Sequence, residues 1–389
     1  MRQILKTYNL ELKVQGPVFV GNGEEIQKKE YVFLNGRHAL GVVDIEKLYQ
    51  LARKKGLASD MERFMVRDTR TTLRQWADDH RIKPDELKAC MKYIVDAGDM
   101  QQEKKPMQIM ACMKDPYGNP YIPGSSVKGM LRTILLGAEL IRHPEQYRHL
   151  AENMKDDLYN SNDKKNNVLK RNISDIENQV FCTLNRPKSK PQDAVNDWMS
   201  GVIVSDSEPL SMRDVAVCQK WDQHVKGTEK TVNLMRECIR PGTVIHCQLT
   251  IDETISPLTG EKLMEAMKVF YQRYEKAFQQ HFSYQSVAPI SDATVFLGGG
   301  SGFVSKTIIY DLFEQKEGVW VTKDIFRKTK VSWKHKHDKD IGFGVSPHVL
   351  KCTKLNGKKY MMGQCELKLR VMKYSDMHGR LQRQVRRIP

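Results

Sequence analysis

Apolar and polar residues alternate along several stretches of the chain, a pattern typical of β-strands with one face on a core and the other in water. The first stretch covers residues 8–15 and the last residues 365–371. Two more, residues 30–34 and 37–43, are joined by Asn35-Gly36, a pair that suits a two-residue hairpin turn. These patterns predict an antiparallel sheet.

Further strands are predicted in the middle of the chain. Residues 107–113 form a short apolar run, and residues 201–205 resume the strand pattern after a long polar stretch. Pro241-Gly242 has the chemistry of a tight turn, and the residues that follow it alternate from 245 to 251. We therefore expect a third hairpin centred on this dipeptide.

Helical periodicity appears between these strands. Asp44 can cap a helix that runs to about residue 55. Residues 59–97 read as helical, with Pro84 at a first helical position and with Leu87, Met91 and Ile94 on one apolar face. Two longer helices are predicted after residue 124 and after residue 260. Their apolar stripes are Val127, Met130, Leu131, Ile134, Leu135, Ala138 and Ile141, and Leu263, Met267, Phe270, Tyr271, Tyr274 and Phe278.

Antiparallel strand signatures interleaved with helices predict an α+β fold, in the form of two ferredoxin-like units with helical insertions. The insertions are expected at about 59–97 and at 142–196. Within the second, residues 160–167 read Asn-Ser-Asn-Asp-Lys-Lys-Asn-Asn and are too polar to pack, which predicts a loop.

Composition narrows the class of partner. The chain has 389 residues and a formal net charge of +16, from 63 Lys and Arg against 47 Asp and Glu. Such a surplus favours a nucleic-acid partner, although a solvated basic face would give the same count. No run of about 18 apolar residues predicts a membrane span, the N-terminus lacks the apolar core of a signal peptide, and the eight cysteines form no CxxC pair. We expect a cytoplasmic protein with reduced thiols.

Three glycine-rich turns are candidates for contact with phosphate, because glycine lets the backbone approach a ligand closely. They are Gly21-Asn22-Gly23, Gly124-Ser-Ser-Val-Lys-Gly129 and Gly298-Gly-Gly-Ser-Gly302 leading to Lys306. In the second turn, Ser125 or Ser126 would cap the following helix, while Lys128 and Arg132 would flank a phosphodiester. An ordinary capped helix with two solvated cations is the alternative interpretation.

Residues 300–307 imitate a phosphate-binding P-loop, but Ser305 stands where the motif requires its second glycine. No apolar run that ends in Asp or Glu supplies a magnesium ligand. A nucleotide-binding enzyme is therefore the weakest of the hypotheses that the sequence supports.

Histidines concentrate in the run from Lys334 to Asp338, with His348 nearby. A His-x-His pair can hold a metal ion, and a histidine beside lysine can act as acid or base in RNA cleavage. The flanking lysines would repel a divalent cation, so we expect an exposed basic loop in which Trp333 stacks on a base beside Lys334, His335 and Lys336. We expect no cofactor, no metal and no catalytic residue.

Six short motifs follow one another along the chain and carry a resemblance to a known family. They are Pro17-Val-Phe-Val-Gly-Asn-Gly23 with Lys29-Glu-Tyr31, Tyr121-Ile-Pro-Gly-Ser-Ser-Val-Lys-Gly129 with Arg132-Thr133, Val204-Ser-Asp-Ser207, Glu237-Cys-Ile-Arg-Pro-Gly-Thr243, Phe296-Leu-Gly-Gly-Gly-Ser-Gly302 with Ser305-Lys-Thr307, and Ser346-Pro-His348 with Lys351. On these motifs the chain resembles the RAMP superfamily of CRISPR-associated RNA-binding proteins. Within that superfamily it resembles the subunit of type III-A (Csm) effector complexes that caps the end of the backbone filament.

The resemblance implies a pair of RRM-like (ferredoxin-like) RAMP domains, which we assign to residues 1–200 and 201–389. It also implies a subunit that binds guide RNA (crRNA) near its 3′ end, docks on the neighbouring backbone subunit and supports crRNA maturation, with host nucleases as further partners. Carried over by motif, the RNA-contacting candidates are Gly21, Asn22, Gly23, Ser125, Ser126, Lys128, Arg132, Gly298, Gly299, Gly300, Ser301, Gly302 and Lys306.

The aspartate with which backbone subunits of such complexes cut target RNA has no equivalent that the motifs can place here. A noncatalytic role is therefore expected. The alternative is a ribonuclease of the same superfamily that trims guide RNA or cleaves target RNA, with His335, His337 or His348 as the acid or base.

Overall fold

The computed structural model describes residues 4–34, 36, 38–67, 71–99, 108–160, 169–282 and 291–372, which contain fourteen strands and eleven α-helices. The strands are β1 (Leu5–Val14), β2 (Gly21–Ile26), β3 (Tyr31–Leu34), β4 (Ala39–Val43), β5 (Met91–Asp96), β6 (Ile109–Cys112), β7 (Val202–Val204), β8 (Val215–His224), β9 (Glu229–Ile239), β10 (Val244–Asp252), β11 (Thr294–Phe296), β12 (Val349–Leu355), β13 (Lys358–Met361) and β14 (Gln364–Val371). The helices are α1 (Ile45–Lys54), α2 (Ala58–Arg67), α3 (Leu73–Asp79), α4 (Pro84–Ala89), α5 (Gly124–Arg142), α6 (Pro144–Asn160), α7 (Lys170–Phe181), α8 (Gly260–Ala277), α9 (Ile309–Leu312), α10 (Gln315–Lys328) and α11 (Asp340–Phe343).

The first sheet has five antiparallel strands in the order β11-β14-β1-β10-β7. The alternation predicted at the N-terminus is confirmed, because Leu10, Leu12 and Val14 of β1 are buried while the residues between them are at least partly exposed. Helix α8 lies against this sheet, and the Tyr271 hydroxyl accepts a hydrogen bond from the Phe296 backbone in β11 at 2.9 Å.

Helices α5 and α8 bury the apolar stripes that the sequence predicts. Every residue of the two stripes is buried except Ile141, which is half-buried. The two helices approach closely at Gly137, where any added Cβ would meet the Phe270 ring. Glycine at this point lets the two longest helices of the core pack together.

The second sheet has nine strands, with the path β2-β6-β9-β8-β5-β4-β3 and with β12 and β13 added beside β8. Side chains along β8 alternate between its faces. Val215 and Val217 join the main core, whereas Ala216 and Cys218 belong to a small separate cluster that includes Phe19. On that second face, the strand continues with Lys220 and Asp222, so this part of the sheet is polar.

The predicted α+β class, with two ferredoxin-like units and helical insertions, is confirmed. Each sheet takes strands from both sides of residue 200. The division of the chain into units 1–200 and 201–389 stays a prediction. Among the described residues, no helix combines the length and the apolar character that crossing a bilayer requires.

Several local predictions are confirmed. Strands β3 and β4 pair as the predicted hairpin, although Asn35 and Arg37 of its turn lie outside the described residues. Asp44 caps α1 by accepting hydrogen bonds from two backbone N–H groups. The 142–196 insertion contains α6 and α7; residues 161–167 of its predicted loop, like the basic tail at 380–387, lie outside the described part of the chain.

The helical prediction for residues 59–97 is wrong at its end. Helix α4 stops at Ala89, and residues 91–96 form β5, which pairs with β4. Met91 and Ile94 therefore lie on a strand, and Ile94 is 42% exposed. The segment Met-Lys-Tyr-Ile-Val-Asp is rich in aromatic and β-branched residues, which favour a strand once a neighbouring strand is available.

The predicted hairpin at Pro241-Gly242 is also wrong. Gly242 does adopt the positive φ of a tight turn, but β9 and β10 belong to different sheets. The Gly242 N–H donates to the carbonyl oxygen of Val14 in β1. The turn at Pro241-Gly242 therefore connects one sheet to the other. Local sequence does not distinguish such a connection from a hairpin.

Glu237 joins β9 to the N-terminal half of the chain. Its fully buried carboxylate accepts hydrogen bonds from Tyr93 Oη at 2.7 Å, from the Cys112 backbone at 3.0 Å and from Lys114 Nζ at 2.5 Å.

We expect Glu237→Ala to lower the free energy of unfolding by about 3–5 kcal/mol in urea titrations, because it leaves Lys114 charged and largely buried. Glu229→Ala on the same strand removes ion pairs with Lys354 and Lys359 in which the carboxylate is partly exposed, and it should cost about 1 kcal/mol or less for each pair. Equal losses in the two variants would contradict this assignment.

Candidate nucleic-acid interface

The first and third glycine-rich turns meet at Phe19. The Gly299 N–H donates to the Phe19 carbonyl oxygen at 2.6 Å, and the Gly363 N–H donates to the Pro17 carbonyl oxygen at 2.8 Å. Gly21 follows Phe19 by two residues and begins β2. The fold therefore places Gly21–Gly23 beside Gly298–Gly302, although the two segments are far apart in the sequence.

The glycines of the third turn have different roles. Gly298 has φ +80, and an added Cβ would meet the Phe19 carbonyl oxygen, so this glycine serves packing. Gly300 and Gly302 also have positive φ, and they face the Arg236 guanidinium and the stem of Lys351 respectively. Ser301 is buried, and its hydroxyl donates to the Gly298 carbonyl oxygen within the turn.

In the first turn, Asn22 is engaged locally. Its side-chain amide donates to Glu24 Oε2 at 2.8 Å, and its Oδ1 accepts from the Glu24 backbone at 2.9 Å. Gly23 has φ +90 and nothing within 4 Å of an added Cβ. The backbone at Gly23 is thus open to an incoming ligand.

Two cations lie beside the third turn without an acidic partner. Arg236 of β9 lies 5.2 Å from the Phe19 ring centroid, and its Nε and Nη1 atoms are buried with no hydrogen-bond partner. Lys306 is exposed to solvent, and partial desolvation followed by repulsion from Arg236 lowers its pKa. Neither residue forms an ion pair within the described ranges. Together they create an uncompensated positive potential beside the glycines.

The positive face continues along β8 and β12. Lys351 of β12 is paired in register with Asp222 of β8, and its Nζ lies 2.8 Å from the Asp222 carboxylate. Lys220 lies 3.9 Å from the same carboxylate, and burial followed by repulsion from Lys351 lowers its pKa. One acidic group therefore serves two lysines.

Beyond Asp222 the sheet opens into a groove of about 710 Å³. Its basic lining residues are Lys226, Lys230, Lys334, Lys336, Lys339, His224, His335 and His348, and Asp222 is its acidic lining residue. Where the structure describes the chain, none of the five lysines forms an ion pair. We name the surface formed by Arg236, Lys306, Lys220, Lys351 and this groove the cationic face.

Three of the sequence-predicted residues, Lys334, His335 and Lys336, line this groove. Trp333 precedes them in a short 3-10 turn and is 79% exposed. The ring of Trp333 is therefore available for stacking, and its contact with a base stays a prediction.

The second glycine-rich turn lies elsewhere, at the start of α5 against β7. An added Cβ at Gly124 would meet the Val204 and Ser205 backbone, and the Gly124 N–H donates to Asp206 Oδ1 at 2.8 Å. The prediction that Ser125 or Ser126 caps this helix is wrong, because Pro123 is the N-cap residue and both serines lie inside the first turn. Asp206 supplies the negative charge that a helix start favours.

Arg132 is held by one acidic group of α7 and by another in the segment between α7 and β7. Its guanidinium lies 2.7 Å from Asp197 Oδ2 and 3.1 Å from Glu177 Oε2, and it stacks on the Phe181 ring at 3.9 Å. Lys128, one turn earlier, has a pKa lowered by burial and forms no ion pair with a described residue. Of the two cations predicted to flank a phosphodiester, Arg132 is therefore held in ion pairs and Lys128 is not.

The P-loop-like run lacks the architecture of a nucleotide site. Its preceding strand, β11, is an antiparallel edge strand, and Val304–Lys306 form a three-residue 3-10 turn. The Ser305 hydroxyl donates to the Ser301 carbonyl oxygen at 3.0 Å. No long helix starts at Lys306 to direct its N–H groups at phosphates.

Several cations of the cationic face were not among the contacts predicted from the sequence. Arg236 directly precedes the motif that begins at Glu237, and Lys351 stands out in the sequence only as part of a motif. Lys226 and Lys230 flank the turn between β8 and β9, and Lys220 precedes Trp221 along β8. Only the pairing of β8, β9 and β12 brings these cations to one surface.

Comparisons with known proteins identify the family of the chain. The family model of the RAMP superfamily matches residues 11–341. The chain therefore belongs to the RAMP superfamily.

Among curated proteins, the chain is 31% identical over 396 residues to the CRISPR system protein Csm5 of Mycobacterium tuberculosis H37Rv, covering 95% of this chain and 99% of that protein. It is 27% identical over 348 residues to Csm5 of Streptococcus thermophilus, covering 85% and 87%. The chain is a member of the Csm5 family.

Solved structures share the fold. A chain in the cryo-EM structure of a Csm–crRNA–target RNA ternary complex of a type III-A CRISPR-Cas system has a TM-score of 0.58 at 20% identity, covering 93% of this chain and 100% of that chain. The crystal structure of T. onnurineus Csm5 has a TM-score of 0.58 at 19% identity, covering 92% and 99%.

We expect Arg132→Met to lower the free energy of unfolding by about 1–3 kcal/mol, because it leaves Glu177 and Asp197 without their shared cation. Its affinity for single-stranded RNA should stay within about twofold of the parent, because a guanidinium already held by two carboxylates adds little attraction for phosphate. Lys128→Met on the same helix breaks no such ion pair and should leave stability unchanged. Thermal or urea unfolding and RNA titration of both variants check this assignment; an RNA defect in a stable Arg132→Met protein would contradict it.

Proposed function

We propose that this chain is the noncatalytic crRNA-binding subunit that caps a type III-A (Csm) effector ribonucleoprotein near the crRNA 3′ end. In this role it docks on the neighbouring backbone subunit in the cytoplasm, supports crRNA maturation with host nucleases and contributes to antiviral defence. Membership in the Csm5 family supports the complex, and the cationic face supports the RNA contact.

The observation that carries the RNA contact is the excess of unpaired cations on one polar face of a sheet. Single-stranded RNA carries one negative charge per nucleotide, and lysines that bind its phosphates release condensed counterions. Contacts of this kind carry no sequence code, which suits a subunit that must accept every guide. Trp333 adds a stacking surface that tolerates any base.

Lys334→Glu with Lys336→Glu tests the groove. We expect the double variant to weaken binding to unrelated single-stranded RNAs by a similar factor and to reduce the slope of log K against log salt by roughly 1.4, about 0.7 for each phosphate that is no longer neutralised. The control is Lys170→Glu with Arg171→Glu at the exposed start of α7, which makes the same change of charge away from the groove. If both double variants lose affinity equally, the effect comes from net charge and the groove assignment fails.

Arg236→Met tests the glycine-turn end of the face. We expect RNA affinity to fall about tenfold, because a charged hydrogen bond to phosphate is removed. The thermal unfolding midpoint should stay unchanged or rise, since the substitution removes a buried charge that has no partner. Arg240→Met is the matched control: Arg240 pairs with Asp96 at 3.1 Å, so the control should lose stability and retain RNA binding. A large loss of stability in Arg236→Met would show a structural role instead.

The ribonuclease alternative has one supporting contact, because His348 lines the groove and its Nδ1 contacts the Asp340 carboxylate. A carboxylate in that position orients an imidazole for proton transfer. Gel analysis of the RNA recovered from the binding titrations decides between the two functions. Intact RNA supports the noncatalytic role, whereas cleavage that His348→Ala abolishes would replace it.

A further inference from the structure

Three potential metal ligands converge beside the groove. His337 Nδ1 lies 2.9 Å from Asp340 Oδ2, and His348 Nδ1 contacts Asp340 Oδ1. The ligand atoms of His337, Asp340 and His348 all lie within 4.8 Å of one another. Asp340 is fully buried, while His337 and His348 have side chains that are 14% and 8% exposed.

The local fold fixes the positions of these side chains. His337 and Asp340 are three residues apart at the junction of a 3-10 turn with α11, a spacing that places side chains one above the other. His348 directly precedes β12, which is paired in register with β8. The Ser346 hydroxyl donates to Asp340 Oδ2 at 2.5 Å, as an outer hydrogen bond to a ligating carboxylate would.

Two imidazoles and one carboxylate form a donor set typical of zinc sites that leave a position open. Zinc requires Zn–N and Zn–O distances of about 2.0–2.2 Å, and donors already within 4.8 Å of each other need only small side-chain movements to reach them. His348 lines the groove and provides a path by which an ion can enter.

The nearby lysines do not share this position. Lys334, Lys336 and Lys339 line the groove, whereas His337 and Asp340 do not. Lys336 has φ +56, a left-handed conformation that changes the direction of the chain between the lysines and His337. The Asp340 carboxylate supplies a compensating negative charge inside the cluster.

We propose that His337, Asp340 and His348 form a binding site for one divalent transition-metal ion of the zinc type. The ion ties the segment that carries Trp333, Lys334 and Lys336 to the start of β12. It thereby fixes the outer wall of the groove. Metal binding itself does not depend on RNA.

The test uses the untagged full-length chain, stripped with a chelator and titrated with Zn²⁺ by calorimetry and with Co²⁺ by absorption. We expect one equivalent of each ion. The cobalt spectrum should lack thiolate-to-cobalt charge transfer, because the eight cysteines are free thiols outside this cluster. Failure of the wild-type protein to bind one equivalent overturns the site.

Variants locate the ion. His337→Ala, Asp340→Asn and His348→Ala should each weaken Zn²⁺ binding by at least about tenfold, as loss of an inner ligand exceeds the effect of losing an outer one. The control is His335→Ala, whose ring centroid lies 6.0 Å from that of His337 and which should bind Zn²⁺ like the parent. His337 is the most exposed of the three residues, so His337→Ala decides if a buried variant fails to fold. Full Zn²⁺ affinity in folded His337→Ala overturns the proposal, and RNA titrations are run separately so that a failure of RNA binding is distinguishable.

Discussion

A guanidinium group does not lose its proton near neutral pH, so Arg236 remains charged even though burial lowers its pKa. Two of its nitrogen atoms have no hydrogen-bond partner beside Gly300. An uncompensated buried charge costs several kcal/mol, and a sequence selected for stability alone would pair it or replace it. The Arg236 guanidinium is therefore available to an anion from outside the described chain, and the surrounding lysines extend the positive potential along the sheet.

The glycines help to create this potential indirectly. Gly298 and Gly299 let the third turn lie on the Phe19 backbone, and that contact brings Gly300 over Arg236 and Gly302 over Lys351. A side chain at Gly298 would displace the turn and open the Arg236 guanidinium to water, where its field would be screened. The glycine-rich sequence is thus a packing requirement, and in the proposed function the cations supply most of the attraction for phosphate.

Periodicity predicts the helices and strands that pack on the main core, because burial of their apolar side chains outweighs local secondary-structure preferences. The stripes of α5 and α8 and the alternation of β1 were readable for this reason. Periodicity does not decide residues 91–96, because so short a pattern fits a helix or a strand and the pairing with β4 determines the structure. The helix cap supplied by Asp206 and the ion pairs of Arg132 join residues far apart in the sequence. The candidate site shows the same limit. Composition identifies residues 333–336 as a candidate loop, whereas Arg236 and Lys220 can be recognised as part of the site only after strand pairing brings them to one surface.

The main physical objection to a metal ion in the 334–339 segment is repulsion from its lysines. This objection assumes that residues adjacent in the sequence lie on the same surface. The structure separates them, with Lys334 and Lys336 on the groove wall and His337 turned towards a buried carboxylate. Coulomb repulsion of a bound cation by lysines that face water is screened, while the attraction of Asp340 acts across a buried contact of low effective dielectric. An RNA phosphate in the groove would offset the lysine charges further. Binding of an anion by the outer side of the segment is therefore electrostatically compatible with binding of a cation by its inner side. Each ligand would help to hold the segment in the position that the other needs.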